Sequence, residues 1–163
     1  MMTAMKRISH DLTYPGATAT QVSAMLMTPA FREAVCDAQR DMVRRTVTVE
    51  GSSVTVDQTQ SGDRIPGFAK KFVGDEIRIL QEESWGSPLR GDIAVTIPGK
   101  PGQIAGTATV EEDGSGVVER VVLEITVGIP LVGGKIEGLV GEKLLKSLRT
   151  ENEVGRRWLE EHA

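Results

Sequence analysis

Residues 128–138 read GIPLVGGKIEG, and the fold turns on whether these glycines cradle a phosphate or open a helix. A phosphate loop requires Gly, four residues, Gly, Lys and then Ser or Thr, because loop amides and the Lys must converge on one pair of phosphates. Gly128 and Gly133 keep that spacing, but Gly134 stands where the Lys is required, and Lys135 comes one position late with Ile136 after it. Pro130 also removes an amide from the loop. The stretch reads instead as the end of a strand, a Pro-marked turn and the opening of a helix.

The C-terminal residues support the helix. Val132–His162 contains no proline and keeps helical periodicity throughout. At the α-helical rise it would run roughly 45 Å. Ile136, Val140, Leu144, Leu148, Val154, Trp158 and Leu159 share one broad face, and Lys135, Glu142, Lys146, Arg149, Glu153, Arg157 and Glu160 share the other. The apolar positions do not hold a strict seven-residue repeat, so the partner of this face is a sheet rather than another helix of a coiled coil.

N-terminal to that helix, the chain is almost pure strand. Glu76–Trp85 and Arg90–Ile97 alternate apolar and polar residues, Ile104–Val110 is small and threonine-rich, and Val117–Val127 is a long strand, with turn signals at Pro98–Gly102 and Asp113-Gly114. Val54 and Val56 alternate with Thr55 and Asp57, and Val43, Val47 and Val49 with Arg44, Thr46 and Thr48, across a turn at Gly51-Ser52. Nothing long enough for a parallel crossover separates these strands, so the sheet is an antiparallel meander. Before them come a first strand over Lys6–Thr13 and two short helices. One, over Gln21–Met27, is capped by Thr18 or Thr20, and the other begins at Thr28-Pro29. One interruption, Ser61–Gly74, carries Ile65, Phe68, Phe72 and Val73 with Lys70 and Lys71 between, and predicts a short amphipathic turn of helix.

Composition narrows the function. The 163 residues suit one domain with a sizeable core. A balance of 19 basic to 23 acidic residues, net −4, argues against a nucleic-acid partner. Cys36 is the only cysteine, which excludes an intrachain disulfide and points to a reducing cytoplasm. With His10 and His162 as the only histidines, no ordinary zinc site is expected, and no motif calls for a cofactor. The longest uncharged stretch, Tyr14–Phe31, is broken by Pro15, Gly16 and Pro29, so neither a membrane span nor a signal peptide is expected.

The order strand, two short helices, six antiparallel strands and one long C-terminal helix resembles the helix-grip fold of the START-like, or SRPBCC, superfamily. The resemblance covers nearly the whole chain and implies an α+β domain, residues 1–163, whose curved sheet of about seven strands grips the helix around an apolar cavity. The stretches HDLTYPGATATQVSAMLMTPAFREAVC, GFAKKFVGDEI and GIPLVGGKIEGLVGEKLLKSLRTENEVGRRWLEEH resemble one uncharacterised family within it, found mainly in actinobacteria. That family has no established reaction, so no functional residue carries over.

Candidate site residues are set by faces. Gly134, Gly138 and Gly141 form a stripe at the edge of the apolar helix face, each costing about 1 kcal/mol of helix propensity relative to Ala. They either let the sheet pack closely or make room for a ligand. Glu137 and Glu151 fall on the apolar side, as rim groups, members of a buried ion pair, or pocket acids. His10 shares the parity of Ile8 and Leu12. It is a core histidine or, with Glu137, one half of an acid–base pair. Gln58 follows Val54 and Val56 on one face, and Gln81 and Glu83 follow Ile77 and Ile79. These are isolated polar groups in an apolar pocket or strand ends in solvent. Phe68 and Phe72 belong to a lid or a fixed plug at the cavity mouth, and Cys36 reads as a core thiol.

The expected function is binding of an apolar or amphipathic small molecule, lipid, isoprenoid or polyketide-like. The alternatives are a cofactor-independent cyclase, dehydratase or isomerase, and a protein-interaction module using the outer sheet face.

Overall fold

The computed structural model describes residues 5–163. Its elements run β1 (Lys6–Pro15), α1 (Ala19–Leu26), α2 (Pro29–Asp37), β2 (Met42–Glu50), β3 (Ser53–Ser61), α3 (Gly67–Val73), β4 (Glu76–Ser87), β5 (Arg90–Thr96), β6 (Gln103–Glu112), β7 (Gly116–Thr126) and α4 (Gly133–Glu161). The strands form one seven-stranded sheet in the order β1-β7-β6-β5-β4-β3-β2, with every neighbouring pair antiparallel. This is the α+β helix-grip architecture: a curved sheet closed over a long C-terminal helix.

Strand alternation builds the inner face. On β7, Val117, Val121, Leu123 and Ile125 point inward and are buried. On β1, Ile8, Leu12 and Tyr14 do the same. Val43 departs from the alternation read for β2. A register irregularity between Met42 and Arg44 reverses the pleat there, so Val43 is exposed while Val47 and Val49 stay half-buried.

The helices close the ends. Thr18 caps α1 through a capping box, its side chain accepting from the Gln21 N–H (3.2 Å) while Gln21 Oε1 accepts from the Thr18 N–H (2.9 Å). Pro29 sits in the first turn of α2, where its missing N–H leaves no helical bond unmade. Phe31 of α2 meets Trp158 of α4 edge-on, with ring centroids 5.8 Å apart.

α4 keeps its charged face in solvent, and its apolar residues are only half-buried. The residues pressed deepest into the sheet are Gly133, Glu137, Gly141 and Gly155. A Cβ on Gly133 would stand 2.6 Å from the Val127 carbonyl oxygen, and one on Gly141 would stand 3.3 Å from Ile8 Cγ2. Farther along, Asn152 exchanges two hydrogen bonds with the Thr13 backbone (3.2 and 2.9 Å), and Arg156 donates to the Thr13 carbonyl (2.8 Å). The helix is therefore fixed to β1 and the end of β7.

Candidate functional site

The space between the sheet and the first half of α4 is divided. An apolar chamber of about 80 Å³ lies under α3, with walls that include Phe72, Ile77, Ile104, Val127, Ile136 and Leu139. A second, larger gap of about 310 Å³ lies toward the middle of α4 and is furnished by Gln39, Gln58, Gln60, Gln81 and Ser147. Val95 and Lys143 line both, so the two spaces meet there. The amides form a chain across the polar gap. Gln39 donates to Ser147 Oγ (2.9 Å), and Gln60 donates to Gln58 Oε1 (3.2 Å) and to Gln39 Oε1 (3.4 Å).

The residues singled out in the sequence fall in different places. Phe72 lines the apolar chamber, while Phe68 lies outside it, partly exposed, with Lys135 Nζ 5.6 Å from its ring centroid. Gln58 and Gln81 line the polar gap. Gly134, Gly138 and Gly141 line neither space. Gly141 serves close packing. A Cβ on Gly134 or Gly138 would meet no atom within 4 Å, so neither a strand nor a cavity explains them. The reason is geometric: the helix touches the sheet along an i, i+4 line through Gly133, Glu137 and Gly141, and the other two glycines stand beside it.

Glu137 is a structural anchor. Its buried carboxylate accepts from the Val127 N–H at 2.8 Å, tying the start of α4 to the end of β7. His10, half-buried on β1, is paired with Val121. Val121 and Val127 are six residues apart, about 20 Å along a strand. The acid–base pairing of His10 with Glu137 is therefore not made.

A different set of ionisable groups occupies the interior. Arg32 of α2 forms a bidentate pair with Glu83 of β4 (2.8 Å at each contact) and donates through Nε to the Leu26 carbonyl (2.8 Å). Gln81 (2.6 Å) and Trp85 (2.9 Å) donate to the same carboxylate. Burial alone opposes both charges. Glu83 nevertheless holds Arg32 above its ordinary pKa, and Arg32 holds Glu83 below its own. Gln81 thus joins the wall of the polar gap to this buried pair.

Behind the pair lie Glu119 of β7, Glu151 of α4 and Tyr14 of β1. Burial, then the neighbouring Glu151 charge, drives the Glu119 carboxyl well above the usual carboxylate range. Burial pushes Glu151 up to about 7, with Arg32 pulling it down and Glu83 pushing it up. The Tyr14 hydroxyl is raised by burial and then by Glu119 and Glu151. Glu119 Oε1 and Tyr14 Oη have no hydrogen-bond partner among the described residues. Three carboxyls share the interior with the buried Arg32 guanidinium, and only Glu83, which pairs with it directly, is lowered, while Glu119 and Glu151 are raised. Sequence reading missed Arg32 and Glu119. The signal lay in parity, because Glu119 shares a face with Val117 and Val121, and Arg32 sits one turn before Val35 and Cys36.

Residues 9–159 match the family described as Protein of unknown function (DUF2505). The chain belongs to this family. This DUF2505 chain is 28% identical over 112 residues to an uncharacterized protein of Mycobacterium tuberculosis, a match covering 65% of this chain and 64% of the relative's length. Among solved structures, it resembles a norcoclaurine synthase point mutant of Thalictrum flavum in complex with a transition-state analogue. The TM-score is 0.69 at 16% identity, covering 99% of this chain and 98% of that one. It also resembles the Zhui aromatase/cyclase of Streptomyces sp. R1128, with a TM-score of 0.65 at 11% identity, covering 96% and 94%. At these identities the DUF2505 chain shares a fold with the two enzymes.

Proposed function

We propose that this chain binds an apolar or amphipathic small molecule, of lipid, isoprenoid or polyketide type, in the divided cavity under α4. The observation that carries this reading is the junction at Val95 and Lys143 of an apolar chamber with a gap lined by amides. The first offers apolar walls to part of the ligand's body, and Gln58 and Gln81 offer donors and acceptors to a polar end in the second. Phe72 forms part of the chamber wall, and α3 covers it, held by the small cluster of Ile65, Ala69 and Ile77. The protein's structural neighbours include an enzyme named as an aromatase/cyclase, which accords with a small-molecule cavity. Native mass spectrometry of gently purified protein tests the reading. A discrete copurified mass, lost when Val95→Trp fills the junction, is expected. Wild-type protein that carries no mass and gains no stability from any apolar compound overturns it.

A second reading, cofactor-independent acid–base catalysis of the cyclase, dehydratase or isomerase kind, is favoured by the interior groups. A carboxyl raised well above its ordinary range (Glu119) beside one pushed to about 7 (Glu151) offers an acid and a base for such chemistry. Once a ligand is in hand, conversion lost in both Glu119→Gln and Glu151→Gln, with binding retained, supports catalysis. Unchanged ligand in wild type leaves the chain a binder.

A further inference from the structure

We propose that the end of the molecule around the mouth of the apolar chamber docks on an anionic lipid surface, with Leu131 and Phe68 entering the interface and Lys71, Lys100 and Lys135 facing the head groups. The proposal goes beyond ligand binding in the cavity, and its test needs no ligand.

Three segments meet at this end. α3 supplies Ala69 and Phe72 to the chamber wall, the β5–β6 loop supplies Lys100, Pro101 and Gly102, and the β7–α4 turn supplies Ile129. Leu131, at the tip of that turn, is 103% exposed and has φ 71°, a region that side chains with a Cβ rarely occupy. Glycine or asparagine would take this backbone more easily, yet a leucine is held there and aimed into solvent. Phe68 is also exposed (37%), and Lys135 packs over its ring, which brings α3 and the start of α4 side by side.

The charge within the three segments that carry or adjoin these side chains has one sign, although exposed Asp63, Asp75 and Glu76 flank α3. Residues 67–73, 98–102 and 128–136 contain Lys70, Lys71, Lys100 and Lys135 and no Asp or Glu, in a chain of net charge −4. None of these lysines takes part in an ion pair among the described residues. Exposed apolar side chains on segments that also carry lysines complement an anionic bilayer, where basic residues meet the head groups and apolar ones reach the acyl boundary. No helix among the described residues is long and apolar enough to cross a membrane, so the contact is peripheral. In this orientation the chamber mouth faces the lipid, and an apolar molecule can pass between them without crossing water.

Flotation with phosphatidylcholine vesicles, and with vesicles carrying about one third phosphatidylglycerol, tests the docking. Wild-type protein is expected to bind the anionic vesicles on the order of tenfold more than the neutral ones, and to leave them at about 0.5 M NaCl. Leu131→Asn tolerates the positive φ and is expected to melt no lower than wild type while binding on the order of fivefold less. Phe68→Ser and Lys71→Glu are expected to weaken binding comparably. Leu89→Ser, at the opposite end of β5 and also exposed (49%), is expected to change nothing. Absence of binding to anionic vesicles overturns the proposal, as does binding indifferent to Leu131→Asn and Phe68→Ser, or equally weakened by Leu89→Ser. A concentration-dependent dimer abolished by Leu131→Asn, without vesicle binding, overturns it in favour of contact with a second copy.

Discussion

Gly155 of α4 and Tyr14 of β1 lie so close that a Cβ on the glycine would stand 2.7 Å from Tyr14 Cε1 and 2.9 Å from its Oη. Tyr14 is only 1% exposed and packed in the main core, so its ring has little room to withdraw. Gly155→Ala is expected to lower stability by about 1–3 kcal/mol through overpacking. Gly138→Ala, whose Cβ would meet nothing within 4 Å, is expected to raise it by up to about 1 kcal/mol through helix propensity. Urea unfolding of the pair decides the matter. A neutral Gly155→Ala would mean that the ring moves freely and the α4–β1 contact is soft.

Glu137 holds the other end of the helix. Its carboxylate is the partner of the Val127 N–H, and the residue is 2% exposed. Glu137→Ala leaves that amide unpaired in the interior and should cost about 1–3 kcal/mol. Glu137→Gln keeps an acceptor oxygen and should cost less than half as much. Hydrogen exchange at the Val127 amide gives the local readout. Fast exchange in the Ala variant and slow exchange in the Gln variant are expected, and equal protection in both would remove Glu137 from this role.

The fold was legible because its signals are local. Alternation in β4 and β5, the turn residues from β4 to β7 and the 3.6-residue period of α4 each report one element without reference to the others. The site was less legible because it depends on which residues of separate elements meet. Val43 reversed its face through a register irregularity that composition does not show. Gly134, Gly138 and Gly141 share a stripe by spacing, but a helix laid on a twisted sheet touches it along a line, and only Gly141 falls on that line. Glu119 could have been placed inside by parity. Its encounter with Glu151, more than thirty residues later, needed the closed fold.

Arg32, paired with Glu83, is the positive counterweight to that encounter. Arg32→Met leaves Glu83 buried without its guanidinium and should destabilise the protein by about 3–5 kcal/mol. Glu83→Gln retains an acceptor for the Trp85 N–H and should cost less than the Arg32 change. The double variant Arg32→Met with Glu83→Gln should be more stable than Arg32→Met alone, since no unpaired charge remains at that position. A double-mutant cycle by chemical denaturation measures the coupling. Additive losses would show that the pair does not interact as the geometry requires.

The acids behind the pair set a pH dependence whose direction follows from proton binding. Glu151 is raised from 4.5 to about 7, and Glu119 is raised as well, so the folded chain holds more protons than the unfolded chain above 4.5. Their contribution is complete below the unfolded value and is lost as pH rises through the folded one, so stability falls between pH 4.5 and about 7. Glu83, Asp37, Asp57 and Asp113 are lowered and act oppositely, their contribution being lost as pH falls below the ordinary carboxylate range. Stability should therefore peak at about pH 5. Glu151→Gln should flatten the fall on the alkaline side, removing a change of up to about 3 kcal/mol, because a neutral amide has no proton to lose. Urea midpoints taken from pH 4.5 to 8.5 measure the slope directly. If wild type and Glu151→Gln run parallel across that range, the Glu151 carboxyl titrates in water and the interior excess of acid is carried by Glu119 alone.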